Sequence, residues 1–466
     1  MTAPLPHDSI AESLAPFFER SRWFGGKGRA FTIDSVRRVA EVPGGVPDGL
    51  RVAVDLVTLA FDDGETNLYQ VPLAFYPEPQ DRLDHALLGE WDDPDFGPSW
   101  VYDAPHDRDA MALWLRAFAD PDPAGALAFH RLPGHELDLD AHASLYSGEQ
   151  SNSTVFFGDD SLMKIFRRVT PGVNPDVQVH EVLTRAGCDH VAALYGWLDT
   201  VDDETDSVVQ LAMLQQFLRT GSDGFELAKA SVRNLYAEAD LHPHEVGGDF
   251  AAETARLGVA LAETHRLLAD LFPTRLLSRE EVAELAQSMR DRLAAATGVV
   301  PELEQYAAAV SRAYDNLADL DGVEVQRIHG DLHLGQTIRT VKGWKVVDFE
   351  GEPAKPLHER MLPDSPWRDV AGMLRSFEYA PHVVERTTAE GDDSGAAQRA
   401  YRAEEWIARN RNAFVEAYAG RELTSEERIL LAAYETDKAV YETVYETRNR
   451  PSWVGIPLSA ISRLAG

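Results

Sequence analysis

Two aspartates, each next to a short hydrophobic strand, constrain this chain more than any other feature. Residues 328–336 read IHGDLHLGQ, and Asp348 follows Asp331 by seventeen residues within the run VVDFEG. The segments 325–328 and 344–347 have the apolar, β-branched composition of short strands. Taken alone, either aspartate would more simply be a residue that holds a loop. Their spacing and flanking strands together predict a functional site.

The residue types in this segment suit phosphoryl transfer. That reaction needs a carboxylate to accept or orient the attacking hydroxyl, and it needs hard oxygen ligands for Mg²⁺. Asp331 suits the first role, and Gln336 and Asp348 suit the second. The protein-kinase pattern H-R-D-x-x-x-x-N followed by D-F-G has the same layout. We therefore expect Asp331 to be catalytic and Gln336 with Asp348 to hold the metal.

A polar loop and a lysine lie upstream, as they do in kinases. The loop 147–154 reads SGEQSNST, and Ser151, Asn152 and Ser153 can present hydroxyls and backbone N–H groups to nucleotide phosphates. Lys164 lies on the next predicted strand, where kinases keep the lysine that pairs with the α- and β-phosphates. An ordinary hairpin turn followed by an exposed strand lysine would give the same pattern.

The carboxylate partner of Lys164 and the adenine contact are harder to assign. For the partner we choose Glu181 on the following helix, with Asp176 as the second choice. Gln216 and Phe217 lie where a hinge would contact adenine, although an ordinary buried strand end explains them equally well.

A helix near the C-terminus is the candidate acceptor site. Asp437, Tyr441 and Glu442 recur at spacings that place them on one helical face or its edge, and Trp453 follows. Aromatic rings stack on sugar faces and carboxylates bond sugar hydroxyls, so we assign these four residues, with His329 and Asp331, to the acceptor. An amphipathic helix whose tyrosines pack in the core is an equally good explanation.

Composition excludes several classes of partner. The chain has 77 acidic and 44 basic residues among 466, a formal charge of −33. Such a field repels nucleic-acid backbones and anionic lipid, so we expect neither nucleic acid nor a membrane as a partner. The single cysteine, Cys188, excludes an intrachain disulfide. The absence of a signal-peptide pattern or a long apolar run predicts a cytoplasmic protein.

Periodicity along the chain predicts an α+β protein in three parts. Residues 1–135 form an α/β unit with strands at 50–58 and 66–73 and a helix at 106–119. Residues 136–220 form a β-rich part with the polar loop, Lys164 and the hinge. Residues 221–466 form a mainly helical part that holds the catalytic loop and the acceptor site. The predicted long helices are 249–271, 279–296, 301–319, 366–380, 396–419 and 424–447.

Seven stretches together resemble the maltokinase family, within the aminoglycoside-phosphotransferase-like kinases. They are residues 22–29 (RWFGGKGR), 149–152 (EQSN), 164–168 with 174–176, 329–336, 348–353 (DFEGEP), 368–371 (RDVA) and 449–458 (NRPSWVGIPL). The resemblance implies a bilobal, eukaryotic-protein-kinase-like fold preceded by a cap subdomain, in which Trp23 and Phe24 serve as packing residues. It also implies ATP as donor, Mg²⁺ as cofactor, Asp331 as base, and Gln336 and Asp348 as metal ligands.

The resemblance leaves the acceptor open. Maltose, giving maltose 1-phosphate for an α-glucan or trehalose pathway, is our first expectation, and glucosamine, giving glucosamine 6-phosphate, is the alternative. An aminoglycoside or choline-type kinase is a further enzyme hypothesis. A catalytically silent nucleotide-binding module is the hypothesis from another class, and the joint presence of Lys164, Asp331, Gln336 and Asp348 argues against it.

Overall fold

The computed structural model describes residues 7–46, 49–148, 151–202, 205–238, 240–352, 355–388 and 395–465. The chain divides into two compact units. The first comprises residues 1–181 and 192–219, and the second comprises residues 182–191 and 220–466. The three-part division drawn from the sequence, with boundaries after residues 135 and 220, stays a prediction.

The first half of unit 1 is an antiparallel sheet with two helices. Its elements are α1 (His7–Arg20), β1 (Phe31–Glu41), β2 (Arg51–Phe61), β3 (Thr66–Tyr76), β4 (Leu87–Asp93), β5 (Gly97–Asp103) and α2 (Arg108–Ala119). The strand order is β1-β2-β3-β5-β4. The predicted strands and the predicted helix are present, and Asp107 caps α2 by accepting a hydrogen bond from the Asp109 N–H.

An aromatic cluster fills one side of this sheet. Trp23 packs edge-on against Phe17 and Phe18, and Phe24 packs against Phe18 at 5.4 Å between ring centroids. The Arg167 guanidinium lies 4.6 Å from the Trp23 ring. Trp23 and Phe24 therefore pack the core of unit 1, as expected.

The second half of unit 1 is a six-stranded sheet. Its elements are β6 (Ala128–Arg131), β7 (Ala143–Leu145), β8 (Ser153–Phe157), β9 (Ser161–Ile165), β10 (Arg168–Val169), α3 (Pro175–Arg185), β11 (Leu194–Asp202) and β12 (Ser207–Gln216). The strand order is β6-β11-β12-β9-β8-β7, and β10 pairs instead with β3 of the first sheet. Lys164 on β9 therefore lies on an inner strand, opposite Thr154 of β8 and Met213 of β12.

Unit 2 is mainly helical. Its helices are α4 (Gly224–Ala237), α5 (Ala251–Leu271), α6 (Arg279–Val299), α7 (Ala307–Ala318), α8 (Leu357–Arg360), α9 (Trp367–Thr388), α10 (Ala396–Ala419), α11 (Ser425–Asn449) and α12 (Gly455–Ala465). Its strands are β13 (Ser222–Asp223), β14 (Arg275–Ser278), β15 (Gly322–Val325), β16 (Thr337–Thr340) and β17 (Gly343–Val346). Among the residues described, no helix has both the length and the apolar character needed to span a bilayer.

Several predicted boundaries in unit 2 differ from the structure, and the largest difference is that the helix predicted over 366–380 continues to Thr388. The helix predicted over 301–319 begins as a 3-10 helix, Pro301–Tyr306, before α7. The strand predicted at 325–328 ends at Val325, and Gln326 makes only an isolated bridge to Asp364. The helix predicted over 249–271 begins at Ala251, and the Asp249 carboxylate accepts a hydrogen bond from the Ala251 N–H at 3.2 Å.

Candidate active site

The hairpin β16–β17 brings Gln336 and Asp348 together. Gln336 immediately precedes β16 and Asp348 lies two residues after β17, so continuation of the ladder makes them neighbours. The Val347 N–H donates to the Gln336 carbonyl oxygen at 3.0 Å, and the Gln336 Nε2 donates to the Asp348 Oδ2 at 3.0 Å. Asp348 has a left-handed φ of +69°, a strained conformation for a residue other than glycine.

The Gln336–Asp348 pair fits a magnesium ion. Carboxylate and amide oxygens are hard donors of the kind Mg²⁺ binds, and the ion commonly takes one or two such protein ligands while substrate phosphates and water complete its shell. The pair places the Gln336 side-chain amide directly beside the Asp348 carboxylate, with the amide Nε2 3.0 Å from the Asp348 Oδ2. The assignment of the metal to these two residues stays a prediction, and the geometry suits it.

Asp331 faces a lysine that sequence reasoning missed. The Lys438 Nζ donates to the Asp331 Oδ1 at 3.1 Å, and the two side chains are 27% and 23% exposed. Burial alone would lower the pKa of Lys438, but the carboxylates of Asp331, Glu352 and Glu442 outweigh it and raise that pKa. Lys438 lies between two residues singled out in the sequence, Asp437 and Tyr441, so the sequence indicated this helix but not the lysine on it.

Asp369 holds the backbone of the catalytic loop. Its carboxylate accepts from the N–H of His329 at 2.7 Å and from the N–H of Gly330 at 2.9 Å, and the His265 Nε2 lies 3.1 Å away. The residue is 1% exposed at the start of α9. Asp369 belongs to the RDVA stretch noted in the sequence, but no pattern there indicated that it would fix the loop.

His329 is a structural residue, which corrects its assignment to the acceptor. Its Nε2 donates to the Val347 carbonyl oxygen at 3.0 Å, and its Nδ1 accepts from the Asp331 N–H at 3.3 Å. The side chain is buried and its ring packs on Phe349. Since both nitrogens are used within the chain, His329 links the Asp331 loop to the strand that leads to Asp348.

In unit 1, Lys164 forms an ion pair with Asp176. The Lys164 Nζ lies 3.0 Å from the Asp176 Oδ2, and the His180 Nδ1 lies 3.0 Å from the Asp176 Oδ1. Burial alone would raise the pKa of Asp176, but the charges of Lys164 and His180 outweigh it and lower that pKa. We therefore replace our first choice of partner, Glu181, with Asp176, which lies in the first turn of α3.

The polar loop has one residue whose predicted role is corrected. Ser153 begins β8, and its buried hydroxyl accepts from the Arg167 Nε at 2.7 Å, so it anchors a buried arginine instead of contacting phosphate. The Asn152 Oδ1 accepts from the Arg167 N–H at 3.3 Å, while Ser151 is exposed. Glu149 and Gln150 lie outside the described residues. Phosphate binding by Ser151 and Asn152 stays a prediction.

The predicted adenine contacts already use their backbone donors. The Gln216 N–H donates to the Ala193 carbonyl oxygen at 2.8 Å, and the Phe217 N–H donates to the Asp160 carbonyl oxygen at 3.1 Å. Both side chains are half-buried, and the Phe217 ring packs 4.8 Å from that of Phe156. An adenine contact here stays a prediction, and it would use side chains or carbonyl oxygens.

The acidic residues of α11 are largely engaged by arginines. The buried Glu442 receives hydrogen bonds from the Arg375 Nε and Nη2 at 3.0 and 2.8 Å, so we correct its acceptor assignment to that of a structural ion pair. Asp437 receives a bidentate pair from Arg292 at 3.0 and 2.8 Å. Its contact with an acceptor stays a prediction.

The two aromatic candidates of this region differ in their surroundings. The exposed Tyr441 donates its hydroxyl to the Glu352 Oε1 at 3.0 Å. The Trp453 ring lies 4.5 Å from the Arg450 guanidinium and 5.3 Å from that of Arg386. Tyr441 therefore joins the group around Asp331 and Lys438, whereas Trp453 packs between two arginines, and both acceptor assignments stay predictions.

Two family models match the chain, one in its first quarter and one over most of the rest. Residues 17–107 match the maltokinase N-terminal cap domain, and residues 142–407, more than half of the chain, match the phosphotransferase enzyme family. A glucosamine kinase of Streptacidiphilus jiangxiensis is 29% identical over 323 residues, covering 66% of this chain and 70% of the relative. A glucosamine kinase of Mycolicibacterium smegmatis is 28% identical over 389 residues, covering 77% and 92%.

Solved structures show the same fold. A glucosamine kinase in complex with glucosamine, ADP and inorganic phosphate superposes with a TM-score of 0.67 at 22% identity, over 97% of this chain and 98% of that one. Together with the family matches, this confirms the predicted fold class, an aminoglycoside-phosphotransferase-like kinase fold with an N-terminal cap, and the family resemblance noted from the motifs.

Proposed function

Since the chain belongs to the phosphotransferase enzyme family, we propose that it is an ATP-dependent sugar kinase whose acceptor is glucosamine. The observation that carries the proposal is the hairpin that unites Gln336 with Asp348 and lies directly after the loop of Asp331. The two relatives described above are glucosamine kinases, which favours this acceptor over our first expectation, maltose.

The residues of the chain divide the work of phosphoryl transfer. Asp331 orients the acceptor hydroxyl and takes its proton as the hydroxyl oxygen bonds to the γ-phosphorus. The bond from that phosphorus to the β–γ bridging oxygen breaks, and ADP leaves. Gln336 and Asp348 hold Mg²⁺, which when bound neutralises charge on the phosphates. Lys164, ordered by Asp176, pairs with the α- and β-phosphates.

Maltose is the second candidate acceptor. The match of residues 17–107 to the maltokinase cap domain is the specific observation that favours it. An aminoglycoside or choline-type acceptor has weaker support, because the two relatives described above are glucosamine kinases.

The test is release of ADP from Mg·ATP by the purified protein, with glucosamine, maltose, glucose, an aminoglycoside and choline as acceptors. We expect turnover with glucosamine, and ³¹P NMR of the product would identify the phosphorylated hydroxyl. Asp331→Asn should lower kcat by about 10²–10⁴-fold, the usual contribution of a general base. Asp321→Asn, whose side chain is 93% exposed, is the matched control and should retain wild-type activity.

Each outcome decides between the candidate functions. Turnover with maltose alone would replace glucosamine by the second candidate. Turnover that survives Asp331→Asn undiminished would contradict the proposed mechanism. Binding of ATP without turnover of any acceptor would favour a silent nucleotide-binding module.

A further inference from the structure

The Asp331 carboxylate contacts Lys438, and a second carboxylate, Glu352, is connected to that lysine through Tyr441. Lys438 contacts Asp331 at 3.1 Å, and Tyr441 lies one helical turn further along α11. The Lys438 Nζ is 5.3 Å from the Tyr441 ring, whose hydroxyl donates to the Glu352 Oε1 at 3.0 Å. A single helix face therefore connects a positive charge at the base with a negative charge at Glu352.

Glu352 lines a cavity that begins beside the catalytic loop. The cavity has a volume of about 380 Å³. It is bounded by residues of α6, by Gly330 and Gly351, by the cations Lys355 and Arg368, and by residues 359–360 and 362–364. Gly330 directly precedes Asp331, so the cavity adjoins the segment that carries the base. Its volume lies in the range of small-molecule sites.

Another charged group faces Glu352 from α9. The Arg368 Nη2 lies 3.9 Å from the Glu352 Oε2, outside hydrogen-bonding distance, while the Arg368 Nη1 donates to Asp364 at 2.9 Å. The stronger bond of Arg368 is thus to Asp364. Glu352 keeps one oxygen on the Tyr441 hydroxyl. Among the described residues, Lys355 and Lys438 also act on Glu352 through their charges, without a hydrogen bond to it.

We propose that Lys438 and Glu352 orient an amino-sugar acceptor, with the ammonium at the Glu352 end and a hydroxyl remote from it at Asp331. Lys438 acts as a positioning residue, since its ammonium fixes the rotamer of the Asp331 carboxylate. The same charge repels an ammonium that approaches the base, whereas Glu352 attracts it toward the cavity. This inference rests on the proposed sugar-kinase function and deepens it.

The first test separates positioning from a merely structural role. Lys438→Met should lower kcat for glucosamine by about 10–100-fold, the scale expected for a misplaced catalytic group, while the KM for Mg·ATP stays within twofold. Lys438→Arg should restore most of kcat, because a cation can still reach Asp331. The matched control is Arg290→Met, which removes a cation of similar exposure from its ion pair with Asp315 and should leave kcat unchanged. An unchanged kcat in Lys438→Met would overturn the role of Lys438.

The second test compares a charged and an uncharged acceptor of the same shape. Glu352→Gln should raise KM for glucosamine about tenfold or more, the scale of a charge-assisted hydrogen bond, and should change KM for glucose little. The ratio of the two KM values does not depend on how much enzyme is folded. Tyr441→Phe, which removes the hydroxyl that holds Glu352, should shift the ratio in the same direction by a smaller factor.

Failure of the inference can be told apart from failure of the proposed function. A wild-type enzyme that phosphorylates no sugar overturns both. A wild-type enzyme that phosphorylates glucosamine, combined with equal KM changes for glucosamine and glucose in Glu352→Gln, overturns the orientation alone and leaves the kinase function standing.

Discussion

Asp369→Asn is the most informative single substitution outside the reacting groups. The carboxylate lies among three donors: the N–H groups of His329 and Gly330, and the His265 Nε2. Two of them point at Oδ2 and one at Oδ1. An asparagine amide has only one oxygen, so in either orientation its NH₂ faces at least one buried donor.

The expected loss of stability follows from the buried donor that the asparagine leaves without an acceptor. An unsatisfied buried donor costs about 1–3 kcal/mol, and the remaining bonds lose the assistance of the negative charge, so we expect a loss of about 2–5 kcal/mol. For a unit of this size about 1 kcal/mol corresponds to about 2–4 °C, which gives a fall in Tm of about 4–20 °C. The loop that carries Asp331 should loosen, and kcat should fall by about 100-fold.

The pH dependence adds an independent check. Burial alone would raise the pKa of Asp369, but its contacts with His265, His329 and Gly330 outweigh it and hold that pKa below the usual range of an aspartate. A lowered folded-state pKa means that the carboxylate contributes its full stability above about pH 4 and loses it as the pH falls through the folded pKa. The stability difference between wild type and Asp369→Asn should therefore shrink in acid.

Thermal unfolding followed by tryptophan fluorescence, with steady-state kinetics at neutral pH, measures both effects. Asp321→Asn, on an exposed loop, is again the control. An Asp369→Asn protein that melts within 1 °C of wild type and keeps its kcat would refute the argument that this carboxylate holds the catalytic loop.

Two further substitutions test the loop and the nucleotide side separately. Gly372→Ala would bring a Cβ to 2.5 Å from the Leu332 carbonyl oxygen, so we expect the free energy of unfolding to fall by about 1–3 kcal/mol and kcat to fall as well. Gly298→Ala is the control, because the space around its Cβ is open, and it should be neutral or slightly stabilising in the same thermal and kinetic assays. Lys164→Met should lower kcat/KM for Mg·ATP by about 10²–10³-fold, because it removes the cation that pairs with the phosphates. A kcat/KM within twofold of wild type in steady-state kinetics would contradict the assignment of Lys164 to the nucleotide.

The parts of the site that are local in sequence could be predicted, and the parts that depend on distant segments could not. Gln336 and Asp348 lie twelve residues apart across one hairpin, so a strand pattern and a spacing were enough to pair them. Lys164 could be placed on a strand for the same reason, because the two strands that follow the polar loop form a local hairpin. Asp176 was the second choice because nothing in a helix sequence tells which carboxylate in successive turns faces a given strand.

Side-chain direction on α11 shows the limit most clearly. Helical spacing grouped Asp437, Tyr441 and Glu442, yet those residues face α6, Glu352 and the buried Arg375 respectively. Residues at i, i+4 and i+5 span a wide arc of a helix, so the spacing alone does not decide which neighbour each one meets. The contact of Lys438 with Asp331 could not be predicted, because a lysine between acidic residues on a helix equally suits a solvent-exposed ion pair.

The Lys438–Asp331 pair contributes little to stability, and this supports a positioning role for Lys438. A partly exposed ion pair contributes about 0–1 kcal/mol, since ordering two side chains and removing their water offsets most of the attraction. Lys438 reaches Asp331 from a segment 107 residues away in the sequence, and the Asp331 loop already has firmer anchors in Asp369 and His329. A module that only bound nucleotide would gain little from a cation on this carboxylate, whereas an enzyme that must aim one oxygen at an acceptor hydroxyl gains an ordered base.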